Sequence, residues 1–472
     1  MSLRERALRG GAYLTARELL GILLRLGGVL LVTRLIGPAS FGLYAGSLAA
    51  LAVLSAAAQL GAEVFLIRSE QEPEQHVYDQ VFSTLLLSTS AAVLLGLGGS
   101  LLVGLVVGDW GFLQPFAVLL FALPLGVLWA PAQAKLERGF RFRSLALLQL
   151  GSDVALYAVA VALALAGAGV WAPVAGTFAS YVWLLVLSYV LARYRPKLDF
   201  SRARLLELAR YGAAFTPAGL LARAEQLANP LVVGTFLGAA SVGEVALAYR
   251  LVDTVSFVLR ATYRVSLVAL GRVQNDTARL RRGFEEMMSL QVLVLGPILV
   301  GLAATSPWLV PLFFGDEWTP TLDVLPFVAV AALLTAVFNV HIALLYVKGR
   351  TLVTSAVGLV RASLLVAAAF VLVPPFGLVG YGLAVALTAV AWLIAHRRVK
   401  EIIGLGYGMT FRWVAAFLPA LFIPLLESPW RIALLAPAFL VLLSRTARAQ
   451  VAEYVALLRT MVSSRRAAGA EE

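Results

Sequence analysis

The sequence predicts an all-α integral membrane protein of about fourteen transmembrane helices. Three observations carry that prediction: the composition, a succession of helix-length apolar runs, and the placement of the basic residues. Of 472 residues, 61% are hydrophobic and 14% charged, against roughly 45–50% and about 25% in soluble domains. Composition therefore overrides the two or three soluble domains that length alone suggests.

A helix needs about 20 apolar residues to cross roughly 30 Å of hydrocarbon. Runs of that kind fall near 12–36, 42–66, 79–107, 112–134, 144–167, 170–192, 211–237, 244–270, 287–305, 322–346, 351–373, 378–396, 411–426 and 431–444, the last two being short. No ten-residue apolar/polar alternation is sustained, so a barrel is disfavoured. The N-terminus carries Arg4, Arg6 and Arg9 like a signal sequence. The apolar stretch after it is interrupted by Arg17, Glu18, Arg25 and Arg34, and reads as a retained first span.

Orientation follows from Lys and Arg. With the N-terminus inside, 30 of the 38 basic residues fall in alternate connections, among them Lys135 to Arg143, Arg193 to Arg210, Arg272 to Arg282, Arg397 to Arg412 and the tail from Arg445. The opposite connections hold only Arg431 and, at a span edge, Arg34. Both termini are therefore expected in the cytoplasm, in a multi-pass protein of the cytoplasmic (inner) membrane. The outer connections are short and leave no room for an external catalytic domain. The inner linker Arg193–Arg210 is basic and suits an anionic leaflet.

Several function classes drop out. Cysteine is absent, which removes disulfides, thiol nucleophiles and Cys-ligated metals. Only His76, His341 and His396 are present, too few for a multi-His metal centre. The net charge of +12 is spread over connections and not gathered in a soluble module, so nucleic acid is not an expected partner. No Gly-rich phosphate cradle suggests ATP hydrolysis. No cofactor is expected.

Ile36-Gly37-Pro38-Ala39-Ser40-Phe41-Gly42 recurs 201 residues on as Leu237-Gly238-Ala239-Ala240-Ser241-Val242-Gly243. Each copy joins the first and second helix of a six-helix set. Gly108-Asp109-Trp110 and Gly315-Asp316-Glu317-Trp318 form a fainter pair. The expected plan is two pseudo-symmetric bundles, residues 1–192 and 211–396, joined by the basic linker 193–210. Two additional helices (397–444) and a cytoplasmic tail (445–472) follow. Duplicated bundles of this kind are a transporter architecture.

Charges inside spans are costly and usually face a cavity or a partner. On the eighth span Arg250, Asp253, Arg260 and Arg264 share an arc of about 80° at 100° per residue. In the seventh span Arg223, Gln226 and Pro230 share one face, with Asn229 beside them and Glu225 turned away; in the first, Glu18 and Arg25 share a face. One reading is a cationic cleft for phosphate, with Arg25, Arg223, Arg250, Arg260 and Arg264 as substrate ligands. Asp253, Glu225, Gln226, Asn229, Glu63 and Asp153 are then cleft or coupling residues, with H+ or Na+ as the coupling ion. The competing reading pairs these groups for packing alone. Asn339, His341 and Arg361 suit interhelical hydrogen bonds better than ion coupling.

Val32-Thr33-Arg34-Leu35-Ile36-Gly37-Pro38-Ala39-Ser40-Phe41-Gly42-Leu43-Tyr44 resembles the entry signature of the oligosaccharide (O-antigen/polysaccharide) flippases, a branch of the multidrug/oligosaccharidyl-lipid/polysaccharide exporter superfamily. Ala248-Tyr249-Arg250-Leu251-Val252-Asp253, Leu312-Phe313-Phe314-Gly315-Asp316-Glu317-Trp318 and Phe376-Gly377-Leu378-Val379-Gly380 extend the resemblance over nearly the whole chain. It implies transport of an undecaprenyl-pyrophosphate-linked glycan across the cytoplasmic membrane by alternating access, among membrane lipids and polysaccharide assembly proteins. Family members often carry an acidic-basic pair in the seventh span, where this chain has Asn229-Pro230. A peptidoglycan lipid-precursor flippase and an ion-coupled drug exporter share the plan, although a cation exporter should prefer acidic residues. A membrane glycan polymerase or ligase needs an acidic or His centre on a large outer loop, which is missing; the chain is not expected to be an enzyme.

Overall fold

Backbone in hydrocarbon cannot bond to water and must close its own hydrogen bonds, which leaves only helices or closed barrels. The computed structural model takes the helical solution. It describes residues 3–68, 72–107, 111–212, 225–426 and 429–452, with side chains described at 21 and from 24 onward except 258, 260, 261, 264, 265, 268, 429 and 430. Among the described residues there is no strand. The chain forms two compact units, residues 1–246 with 310–319, and 247–309 with 320–472.

The first unit holds α1 (Leu3–Ala58), α2 (Ala62–Arg68), α3 (Gln75–Val107), α4 (Leu113–Leu120), α5 (Ala122–Val127), α6 (Ala130–Arg138), α7 (Phe142–Leu165), α8 (Trp171–Ala192), α9 (202–212), α10 (Gly234–Leu237) and the first turns of α11 (Ala239–Val255). As a straight rod, the 56 residues of α1 would run about 84 Å. It is instead broken at Gly37, whose φ of 74° and ψ of 170° suit a residue without Cβ. α7 and α8 have 24 and 22 residues, about 36 and 33 Å, which matches a bilayer. They pack through small residues: a Cβ on Gly176 would stand 2.6 Å from the Leu156 carbonyl oxygen, and one on Gly151 2.4 Å from the Trp183 ring. Leu85, Leu119, Leu123, Leu136 and Leu148 form the buried core. Leu94, Leu95, Leu102 and Leu105 of α3 point outward, as a lipid-facing helix requires.

The second unit holds the rest of α11, α12 (Phe257–Val273), most of α13 (Thr277–Phe314), α14 (Thr321–Val347), α15 (Thr351–Leu387), α16 (Trp392–Ile403), α17 (Gly408–Phe417) and α18 (Ala436–Leu443). α15 doubles back at Gly377 (φ 56°, ψ −135°), after Pro374 and Pro375. The return is tight: a Cβ on Gly380 would meet the Leu372 carbonyl oxygen at 2.0 Å. α17 docks on α13, with Phe417 against Gly296 and a 2.6 Å hydrogen bond between Ser289 and Thr410.

The expected count of fourteen spans is not reproduced helix for helix. Eight described helices are long and apolar enough to cross a membrane, or ten if two bent pairs each count as one span. The reasons are local. α1 and α15 each hold two expected runs, joined without a gap by the breaks at Gly37 and Gly377, which fall in the expected connections. The expected span 112–134 bends by 52° near Phe121. The expected span 244–270 is divided at Ser256 (φ −86°, ψ 9°) into two 17-residue helices. Much of 211–237 lies outside the described residues.

Candidate functional site: charged groups within the spans

In the first unit, the repeated motif builds a reciprocal crossing. Gly37 and Gly238 adopt the same conformation, with φ of 74° and 85° and ψ of 170° and −179°. A Cβ on Gly42 would lie 1.8 Å from the Ala239 carbonyl oxygen, and one on Gly243 would lie 2.2 Å from the Pro38 carbonyl oxygen. The 201-residue offset maps Pro38 onto Ala239 and Gly42 onto Gly243, so each copy presents to the other what it receives. Beside the crossing, Arg34 Nη1 donates to the Leu312 and Phe313 carbonyls at 2.8 and 3.2 Å, covering two open acceptors at the end of α13. Phe41 meets the buried Trp318 edge to face at 5.7 Å.

Arg25 of α1 pairs with Asp153 of α7 at 2.9 Å, both partly buried. Sequence separates them by 128 residues. The pair places a guanidinium in the membrane beside a counter-charge, which lowers the cost of a lone cation there. Neighbouring Gly28 lets α1 close on α7: a Cβ there would fall 2.2 Å from the Tyr157 ring.

Glu63 of α2 accepts from Gln133 Nε2 at 3.0 Å, and the same amide nitrogen donates to Glu137 at 2.8 Å. One buried side chain thus bridges two carboxylates. Gln133 and Glu137 were not singled out in the sequence, where their i, i+4 spacing on α6 is the one available signal.

Glu225 and Gln226 lie on a short turn, Glu225–Leu227, with Gln226 exposed. Asn229 is buried, its Nδ2 donating to the Val242 carbonyl at 3.1 Å. Pro230 opens the wide turn Asn229–Val233, closed by the Gly234 N–H donating to the Asn229 carbonyl. This is the local disturbance expected of a proline within a helix.

In the second unit, Arg250 and Asp253 are exposed on α11. Arg260 and Arg264 lie on α12, their side chains outside the described residues, as is Arg223 altogether. A turn at Ser256 (φ −86°, ψ 9°) lies between the two pairs. Asn339 donates to the Leu259 carbonyl at 3.1 Å, and the Arg361 guanidinium lies 5.0 Å over the Trp392 ring. Among the described residues no group of three His, Asp or Glu is placed to hold a metal.

Residues 31–323, more than half of the chain, match a family model described as polysaccharide biosynthesis protein. Lipopolysaccharide biosynthesis protein WzxC of Escherichia coli (strain K12) is 27% identical over 367 residues, covering 74% of this chain and 72% of that protein. Succinoglycan biosynthesis transport protein ExoT of Rhizobium meliloti (strain 1021) is 26% identical over 317 residues, covering 64% of this chain and 61% of that one. The chain thus spans less than two thirds of the second relative's length. The fold is similar to that of the lipid II flippase MurJ in its inward closed conformation, with a TM-score of 0.69 at 15% identity over 96% of this chain and 99% of that one. It is also similar to an inward-facing multidrug resistance MATE family transporter of the MOP superfamily, with a TM-score of 0.62 at 17% identity over 81% and 95% of the two chains. The chain belongs to the polysaccharide biosynthesis protein family.

Proposed function

We propose that this chain is a flippase that moves a lipid-linked glycan between the leaflets of the cytoplasmic membrane during cell-surface polysaccharide synthesis, with an undecaprenyl-pyrophosphate-linked oligosaccharide as cargo. The observation that carries the reading is the family match over residues 31–323 on a helical fold similar to that of a lipid II flippase. The relatives agree with this reading: one is a lipopolysaccharide biosynthesis protein and the other a succinoglycan biosynthesis transport protein.

The charges inside the spans support an anionic cargo. A pyrophosphate needs donors that remain charged in a low dielectric, and guanidinium supplies them in a planar fork. Arg25, paired with Asp153, is one such donor in this reading. Arg223, Arg250, Arg260 and Arg264 are the further substrate ligands in this reading, presented alternately to the two sides. Asp253, Glu225, Gln226 and Asn229 supply polar surroundings, and Glu63 and Asp153 carry compensating charge. The distribution of basic residues supports a cytoplasmic location for both termini. The same basic surfaces suit anionic lipid, and polysaccharide assembly proteins are natural partners.

Deletion of the gene tests the reading. Lipid-linked glycan should accumulate on the inner leaflet, and the wild-type chain should clear it. Arg260→Gln with Arg264→Gln should fail to clear it while reaching the membrane at normal abundance. Absence of inner-leaflet accumulation on deletion contradicts the flippase reading.

A further inference from the structure

Two of the three histidines of the chain meet in the second unit, joined by one tyrosine. His341 of α14 is fully buried. Its Nδ1 lies 3.3 Å from the Val337 carbonyl, which can only accept, so Nδ1 carries a proton. Its Nε2 is then the acceptor, and the Tyr407 hydroxyl donates to it across 3.0 Å. With its proton committed, the Tyr407 oxygen accepts from His396 Nδ1 at 2.6 Å. Every donor faces an acceptor along His396, Tyr407, His341 and Val337, and the series runs from the half-buried end of α16 into the interior of the unit.

The setting is built to hold this series. Tyr407 sits in the connection between α16 and α17, with Gly404 and Gly408 on either side in the left-handed region (φ 59° and 40°). The connection is fastened independently by Glu285 of α13, which accepts from the Gly406 N–H at 3.1 Å and from Arg281 Nε at 2.9 Å. Phe284 and Phe338 stand against the His341 ring, with centroids at 5.0 and 4.8 Å. The charged neighbours are Arg397 and Lys400 on α16, Arg281 and Glu285 on α13, Arg361 on α15 over Trp392, and Arg412 on α17. α14 carries no other charged residue between Asp323 and Lys348.

We propose that His396, Tyr407 and His341 form a proton-binding relay that takes up a proton at the basic end of α16 and stores it on His341. The transfer balances. A protonated His396 gives its Nδ1 proton to the Tyr407 oxygen as Tyr407 gives its hydroxyl proton to His341 Nε2. His396 is left neutral with its proton on Nε2, Tyr407 is unchanged, and the charge has moved to His341. The direction of donation along the series is then reversed, and the reverse transfer restores it. The place of the relay in a transport cycle, as the site of proton coupling, rests on the flippase reading; the relay itself does not.

Two measurements separate these claims. In full-length protein labelled with nitrogen-15 at histidine, in lipid nanodiscs, the His341 and His396 resonances should titrate over one shared pH range. In Tyr407→Phe, His396 should titrate alone and the His341 signal should stay fixed. Independent titration of the two rings in wild type, or an unchanged His341 titration in Tyr407→Phe, overturns the relay whatever the cargo. In vesicles with purified protein and undecaprenyl-pyrophosphate-linked glycan, an imposed pH gradient should accelerate wild-type flipping several-fold. Tyr407→Phe and His341→Gln should flip at equal rates with and without the gradient. If these variants keep the acceleration, proton coupling through the relay is refuted while the flippase reading stands. If wild type flips no glycan, the flippase reading fails and the titration still decides the relay.

Discussion

Adding one methyl group at Gly42 is the sharpest perturbation of the repeated motif. Packed backbones allow a carbon to approach a carbonyl oxygen to about 3.3 Å, whereas the new Cβ would stand at 1.8 Å from Ala239 O. The crossing must open by about 1.5 Å, because the obstruction is backbone and has no rotamer to change. At Gly243 the corresponding distance is 2.2 Å to Pro38 O, which calls for about 1.1 Å. Overpacking of this kind costs about 1–3 kcal/mol. The two sites share one crossing, so Gly42→Ala with Gly243→Ala should cost little more than Gly42→Ala alone. Gly98→Ala is the control, since nothing lies within 4 Å of its Cβ; it should be neutral or stabilise by about 0.5–1 kcal/mol. Thermal unfolding of the purified protein in detergent reads all four. If Gly42→Ala matches Gly98→Ala, or if the two crossing variants add in full, the reciprocal packing is refuted.

Other expected outcomes follow from single contacts. Asp153→Asn removes the carboxylate paired with the Arg25 guanidinium and should lower membrane abundance, at a cost of up to about 2.5–3.5 kcal/mol; adding Arg25→Gln should recover much of it, as quantitative blotting can show. Arg34→Ala uncovers the Leu312 and Phe313 carbonyls and should cost about 0.3–1 kcal/mol, with Arg34→Lys intermediate in a thermal unfolding series. Burial, and then Asp79, which accepts the Tyr194 hydroxyl proton at 3.1 Å, raise the Tyr194 phenol above its ordinary value of 10.0. A raised folded value means the contribution is complete below pH 10 and is lost as pH climbs above it. The stability difference between wild type and Tyr194→Phe should therefore hold to pH 10 and shrink beyond.

The helical class was legible because composition and backbone chemistry leave little choice in hydrocarbon. The repeat was legible too, since Gly37 and Gly238 are glycines for a conformational reason that leaves a mark in sequence. What the motif does with Gly42 and Gly243 was hidden, because a close crossing depends on where two distant segments meet. The charged groups show the same limit. Arg25 stood out as a cation in a span, but its partner Asp153 lies 128 residues away. Nothing in Val255-Ser256-Phe257 announces the turn that divides the eighth span. Nor did His341 reveal its link through Tyr407, 66 residues on, to a histidine on another helix.

The most direct test is flipping by the purified chain alone. Vesicles containing the protein and undecaprenyl-pyrophosphate-linked oligosaccharide, loaded in one leaflet, should equilibrate the glycan between leaflets, read as its accessibility to an external glycan-cleaving enzyme. The expected result is protein-dependent exposure of glycan that is weakened by Arg260→Gln with Arg264→Gln. Exposure no faster than in protein-free vesicles, with correctly folded and inserted wild-type chain, contradicts the assignment.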